Sequence, residues 1–297
     1  MESNRNVLLE SREALRKDNR PQRGAPRSHS SADQQIPSAE HLDRYFSGEA
    51  LIGDDFTAEE IAQWFADEKE ACFEIRGGMK KYPYHAKNWF YGYRRLRRRQ
   101  FRNVLCFGGG NGVELLPIAD RLGNVTILEP SSNFKAVINA SYVTPNVDGS
   151  MSFPDNTFDL VTCFGVLHHI PNVSRIVEEL YRCTAGGGVV LLTEPINSMG
   201  DWTKPRPGLT KRERGIPIHL LRLFIKNTGF EIVSESKCSF GPINYVSRKL
   251  HLTPYNSRFI VMIDNVVCKL PFWSTDYRAT TVLKRIRPAS VFYVLRK

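Results

Sequence analysis

Residues Val104 to Gly112 read VLCFGGGNG, an apolar run that enters a cluster of glycines and leaves into VELLPIADRL, whose apolar residues recur at helical spacing. The pattern predicts a strand, a tight turn and a helix. Glycines let the backbone pass close to a nucleotide-like ligand, and the start of the helix presents unbonded N–H groups to it. A glycine-rich turn alone specifies little. It gains meaning from Glu129, which closes the next apolar run (Val125-Thr126-Ile127-Leu128), about 20 residues on, where an acid can hold both hydroxyls of a ribose.

A dinucleotide fingerprint wants its third glycine at position 113, which is Val113, and no GK[ST] follows the turn, so neither NAD nor a P-loop is favoured. The turn, the stretch FPDNTFDLVTCFGVLHHIPN (Phe153 to Asn172) and AGGGVVLLTEP (Ala185 to Pro195) together resemble the class I S-adenosylmethionine-dependent methyltransferases, in the branch of the ubiquinone and menaquinone C-methyltransferases. The resemblance covers roughly Phe101 to Glu235. It implies an α/β, Rossmann-like seven-stranded sheet and S-adenosylmethionine as cofactor. It also implies a cofactor site built from Gly108, Gly110, Gly112, Glu129 and Pro130, with Met151 against the adenine and Phe164 after the fourth strand. One position departs from the family. An acid usually stands two residues before the first glycine to receive the cofactor's amino group, and here that residue is Cys106; Glu114, in the first turn of the helix, is the candidate to compensate.

Strands are expected near 103–107, 125–129, 141–144, 158–163, 188–193, 230–236 and 290–295, and helices near 112–122, 131–139, 173–183 and 216–228. Such alternation predicts a parallel sheet covered on both faces. Three parts are expected: a disordered tail over 1–37, rich in Arg, Ser, Asn, Gln and Pro, a helical cap over 38–100, and the core over 101–297. In the cap, Thr57 and Glu60 form a capping-box pattern. An insertion at about 237–288, with a helix over Ser257 to Leu270, interrupts the core and is expected near the substrate side, as a lid or an oligomer contact.

Composition narrows the setting. No apolar run in the 297 residues reaches a membrane span, and the N-terminus is too polar for a signal peptide and too acidic for a transit peptide. The six cysteines stand singly, without CxxC spacing, which predicts reduced core thiols in a cytoplasmic protein and no metal site. Net charge is +10. Eight basic residues and no acid lie between Lys80 and Gln100, and seven basic residues face one acid, Glu213, between Lys204 and Lys226. A basic rim suggests an anionic acceptor. Nucleic acid is the weaker reading, because Trp202 alone accompanies the second basic run and no RNA-binding appendage is recognisable.

Methyl transfer asks the protein to align an acceptor with the methyl group, exclude water, and remove a proton where the acceptor is oxygen or nitrogen. His168 and His169, just past the fourth strand, are the candidate bases. In the related enzymes the second histidine of such a pair lies near the methionine end of the cofactor. Glu194 ends the fifth strand, where it either touches substrate or holds a loop. His85, Trp202 and Arg212 are candidate acceptor contacts, with Tyr84 and His219 behind them. The function expected is methyl transfer to a small-molecule or glycan-type acceptor at oxygen. The alternatives are a non-catalytic binding or assembly protein of the same fold, and an RNA methyltransferase.

Overall fold

The computed structural model describes residues 39–76 and 82–297. The tail expected over 1–37 lies outside the described residues. Seven strands form one sheet: β1 (Phe101–Phe107), β2 (Leu122–Leu128), β3 (Ser141–Val143), β4 (Phe158–Phe164), β5 (Thr184–Pro195), β6 (Glu231–Phe240) and β7 (Pro288–Arg296). Their order is β3-β2-β1-β4-β5-β7-β6. β1 to β5 pair in parallel, and β7 runs antiparallel to both β5 and β6.

Alternation along β1 builds the two faces, as a two-residue period requires. Leu105 and Phe107 join one core with Met151, Ile176, Leu180, Leu221 and Ile225. Two helices, Val173–Cys183 and Ile218–Thr228, contribute to that core. Val104 and Cys106 join the opposite core with Tyr91, Tyr93, Leu115, Ile118 and Phe292. The cap contributes helices Ala39–Ser47, Ala58–Glu68, Ala71–Arg76 and His85–Tyr91. The second begins with the expected box: Thr57 Oγ1 accepts from Glu60 N, and Glu60 accepts from Thr57 N.

Two helices differ from expectation. Residues Val113–Arg121 form a 3-10 helix, not an α-helix. Pro117 lies inside it, and in an α-helix its ring would crowd the carbonyl four residues back. Residues 131–139 are not helical at all. Local side-chain and tertiary contacts claim this segment: Asn133 N donates to Ser131 Oγ, and Val137 N donates to Asn111 O. Phe134 and Ile138 then lie over Gly110 and Gly112.

The insertion packs against the sheet and the cap. Its helix Arg258–Cys268 packs on β6 and on the cap helix His85–Tyr91, with Val261 and Tyr255 in the second core. Asp264 is buried there, accepting from the backbone N–H of Ser239 and Phe240 and from the Tyr91 and Tyr255 hydroxyls. No residue of the insertion lines the cavity described next. The five described cysteine side chains are free and buried; that of Cys72 lies outside the described residues. No helix among the described residues is long and apolar enough to cross a membrane.

Candidate active site

A cavity opens at the C-terminal ends of β1, β2 and β4, the edge where ligands bind in such sheets. Gly108, Glu129, Pro130, Met151 and His169 line it, with Leu128 and Ile176 as apolar wall and Trp64, Phe65 and Glu68 of the cap as its other side. Gly108 adopts φ +63, and a Cβ there would meet Val166 Cγ1 at 2.3 Å, so only glycine fits. Gly110, Gly112 and Phe164 do not line the cavity.

Glu129 is buried, and its carboxylate accepts from Gly110 N at 3.1 Å and Ser131 N at 3.3 Å. Burial raises its pKa against the help of those two N–H groups. No lysine or arginine among the described residues pairs with it. Glu70 of the cap reaches over the same loop, accepting from Ser131 Oγ at 2.6 Å and from Asn133 Nδ2 at 2.9 Å.

Behind the glycine turn, Glu114 lies beside Cys106. It is buried, and its Oε1 accepts from Thr162 Oγ1 at 2.8 Å and from the Cys106 thiol at 3.3 Å. Burial pushes its pKa up to about 7. The Cys106 thiol is pushed well up by burial and by the Glu114 charge, so it remains a neutral donor.

The two histidines have different environments. His168 is buried between carboxylates, with Nδ1 at 2.7 Å from Glu194 and Nε2 at 3.4 Å from Glu213. Burial opposes its charge, but the two carboxylates win and its pKa is raised. Glu213 is held down at about 2, its burial overcome by His168 and the neighbouring imidazole. Glu194 holds the loop after β4, accepting from the backbone N–H of Val166, Leu167 and His168. It is a loop anchor.

His169 lies with its ring centre 4.2 Å from that of His168. Burial and the His168 charge lower its pKa, so it is neutral near pH 7. Its Nδ1 is 2.9 Å from Glu68 Oε2. An ionised carboxylate only accepts, so Nδ1 carries the proton and Nε2 keeps the lone pair. That Nε2 is buried and has no hydrogen-bond partner among the described residues. His168, His169 and Glu213 also bring potential metal-ligand atoms within 4.8 Å of one another.

The other candidates lie outside the cavity. Arg212 pairs with Asp67 at 2.7 Å, and its backbone N–H donates to Glu68. Trp202 stacks on Phe46 at 4.4 Å and donates to Ser198 O. His85 starts a cap helix, against Tyr82 and Asn256. His219 is exposed, and Tyr84 packs on Tyr82 and Tyr255. Much of the second basic run is engaged internally: Arg206 and Arg214 donate to backbone carbonyls, and Arg222 pairs with Glu235. Two cap residues were not singled out as site residues in the sequence: Glu68, on His169, and Trp64, whose Nε1 donates to His169 O at 2.7 Å. The only signal was an acid on the apolar stripe of a helix.

Comparison with known proteins places this geometry. Residues 105–192 match the family model of a methyltransferase domain. Over 56 residues the chain is 38% identical to a ubiquinone/menaquinone biosynthesis C-methyltransferase, UbiE, of Hydrogenovibrio crunogenus, covering 19% of this chain and 22% of that protein. Over 74 residues it is 34% identical to UbiE of Stenotrophomonas maltophilia, covering 25% and 29%. The matches thus span under a third of those relatives' length. Among solved structures, the (4+2)-cyclase SpnF superposes with a TM-score of 0.50 at 16% identity, over 82% of this chain and 97% of that one, a likeness of fold. The matched methyltransferase domain runs through most of β1 to β5, on a sheet closed by one reversed strand, so the chain resembles the class I S-adenosylmethionine-dependent methyltransferases in that domain and in fold.

Proposed function

We propose that the chain binds S-adenosylmethionine in the cavity beside Glu129 and transfers its methyl group to oxygen of a small-molecule or glycan-type acceptor. The observation that carries this reading is a buried carboxylate, without a cationic partner among the described residues, beside a cavity walled by Leu128, Met151 and Ile176. Apolar walls suit a flat base, and a carboxylate suits two ribose hydroxyls. Bound S-adenosylmethionine supplies an electrophilic methyl group on sulfur. The chain's own part is to hold the ribose through Glu129, exclude water with the cap helix Ala58–Glu68, and accept the acceptor's proton at His169 Nε2. Glu68 keeps that imidazole in the productive tautomer.

Titration calorimetry tests the cofactor. S-adenosylmethionine and S-adenosylhomocysteine should both give heat, and Glu129→Ala should weaken them by about 1–3 kcal/mol through lost charge-assisted hydrogen bonds. Heat with NAD and none with either sulfur ligand overturns the assignment. Methyl-labelled cofactor incubated with fractionated extract identifies the acceptor.

The same label tests the base. His169→Asn should leave S-adenosylhomocysteine affinity near that of the native protein and abolish transfer. Because the pKa of His169 is lowered, native transfer should persist below pH 6.5 and fall only as the pH drops through that lower value. Undiminished transfer by His169→Asn removes it from this role.

A further inference from the structure

The insertion carries an unusual surface. Thirteen of the twenty large apolar side chains exposed among the described residues lie between Tyr245 and Ile286. On the helix Arg258–Cys268 they form a stripe: Phe259, Met262, Ile263 and Val266 recur at i, i+3, i+4 and i+7. Phe259 is 71% exposed and Val266 63%, values foreign to a packed helix. Phe272 and Leu283, at 69% and 79%, line one shallow depression just beyond it.

The charges around the stripe have one sign. Between Gly241 and Arg287 the only acids are Asp264 and Asp276. Asp264 is buried under the helix, and Asp276 is paired with Lys284. Arg248, Lys249, Arg258, Lys269 and Arg285 are exposed. No carboxylate among the described residues forms an ion pair with Arg258 or Lys269.

We propose that the insertion is an interfacial docking face for an anionic lipid surface, with the helix Arg258–Cys268 lying in the plane of the headgroups. An apolar stripe edged by cations, in a segment whose one exposed acid, Asp276, is paired with Lys284, fits such a surface, because it buries the stripe among acyl chains while the cations meet headgroup phosphates. The helix has 11 residues, too few to span a bilayer but enough to lie on one. A second copy of the chain fits poorly. Two-fold pairing through this stripe would bring Arg258 and Lys269 against the same cations of the copy. The helix is also firmly mounted, since Val261 and Cys268 are buried on its other side and Asp264 clamps the backbone of Ser239 and Phe240. This inference does not depend on the reaction proposed above.

Sedimentation of the full chain with vesicles tests it. The chain should pellet with vesicles containing phosphatidylglycerol, remain in solution with phosphatidylcholine alone, and be released as salt rises. Lys269→Glu should weaken binding at least about fivefold, the effect of one basic residue near such a surface. The double change Phe259→Ser and Val266→Ser should weaken it at least about tenfold through lost apolar burial. Both variants alter exposed positions, so their thermal midpoints should match the native value, and Met262→Ser provides a milder check. No binding to anionic vesicles at low salt overturns the proposal, as does equal binding by all variants. So does a dimer in solution that Phe259→Ser breaks, which would assign the stripe to self-association.

Discussion

Changing Cys106 to Asp should destabilise the fold by on the order of 3 kcal/mol and weaken cofactor binding, although it restores the acid that the family usually carries there. From sequence alone, the expectation is the reverse: that an added acid tightens binding or leaves it unchanged. The structure changes the expectation because Cys106 already faces a buried acid. Glu114 Oε1 lies 3.3 Å from the Cys106 thiol inside a buried cluster with Thr162. A second carboxylate would face the first with no cation between them. Glu114 itself gives the companion result. Its folded pKa of about 7 exceeds the ordinary 4.5, so the folded state retains a proton that the unfolded chain releases. Stability should therefore fall as pH rises through that window, by about 3 kcal/mol once Glu114 is forced to ionise. Glu114→Gln should flatten this slope. Denaturant midpoints at about pH 5 and about pH 8 measure both effects. A native-like midpoint with tighter S-adenosylhomocysteine binding in Cys106→Asp would show that the buried site tolerates a second acid.

Glu194→Ala should be as damaging, at about 3–5 kcal/mol, because it leaves a buried imidazolium without one of its carboxylates. Three backbone N–H groups, those of Val166, Leu167 and His168, lose their acceptor in the same step. The loop they belong to carries Val166 onto Gly108 and His169 into the cavity, so ligand affinity should fall with stability. Glu194→Gln keeps an acceptor and should lose less. The pH dependence has a definite sign. The folded pKa of His168 is raised above 6.5, so its contribution to stability is full below 6.5 and disappears as pH rises through the raised value. Glu194→Ala should shrink that contribution, and the ring protons of His168 should titrate lower by NMR. An unshifted titration in this variant would mean that Glu213 alone sustains the imidazolium.

Much of the fold was legible because it rests on short-range patterns. All seven strands lie where alternating or continuous apolar runs stand between turn residues, within a few residues of their expected limits. The helices Val173–Cys183 and Ile218–Thr228 likewise follow apolar residues at helical spacing. The segment 131–139 was not legible as irregular, because the contacts that hold it out of a helix come from Asn111 and from the glycine turn. The insertion could be recognised but not placed. Its seat on β6 depends on Asp264, an acid whose partners lie 24 and 25 residues away along the chain and on the cap helix His85–Tyr91.

The same division runs through the candidate site. The amino-acid sequence determined the glycine turn, Glu129 at the end of β2 and the histidine pair after β4, since each follows from the order of residues within one strand and its loop. Tertiary structure alone decided which histidine has a bare nitrogen. Glu68 is 101 residues from His169, and Glu194 is 26 residues from His168, so neither pairing shows in local spacing. It also decided that Glu114 meets Cys106, through a turn that brings the two side chains together across the start of the 3-10 helix. Backbone patterning is set by near neighbours, whereas protonation depends on burial and on charges that only the folded chain brings within a few ångströms.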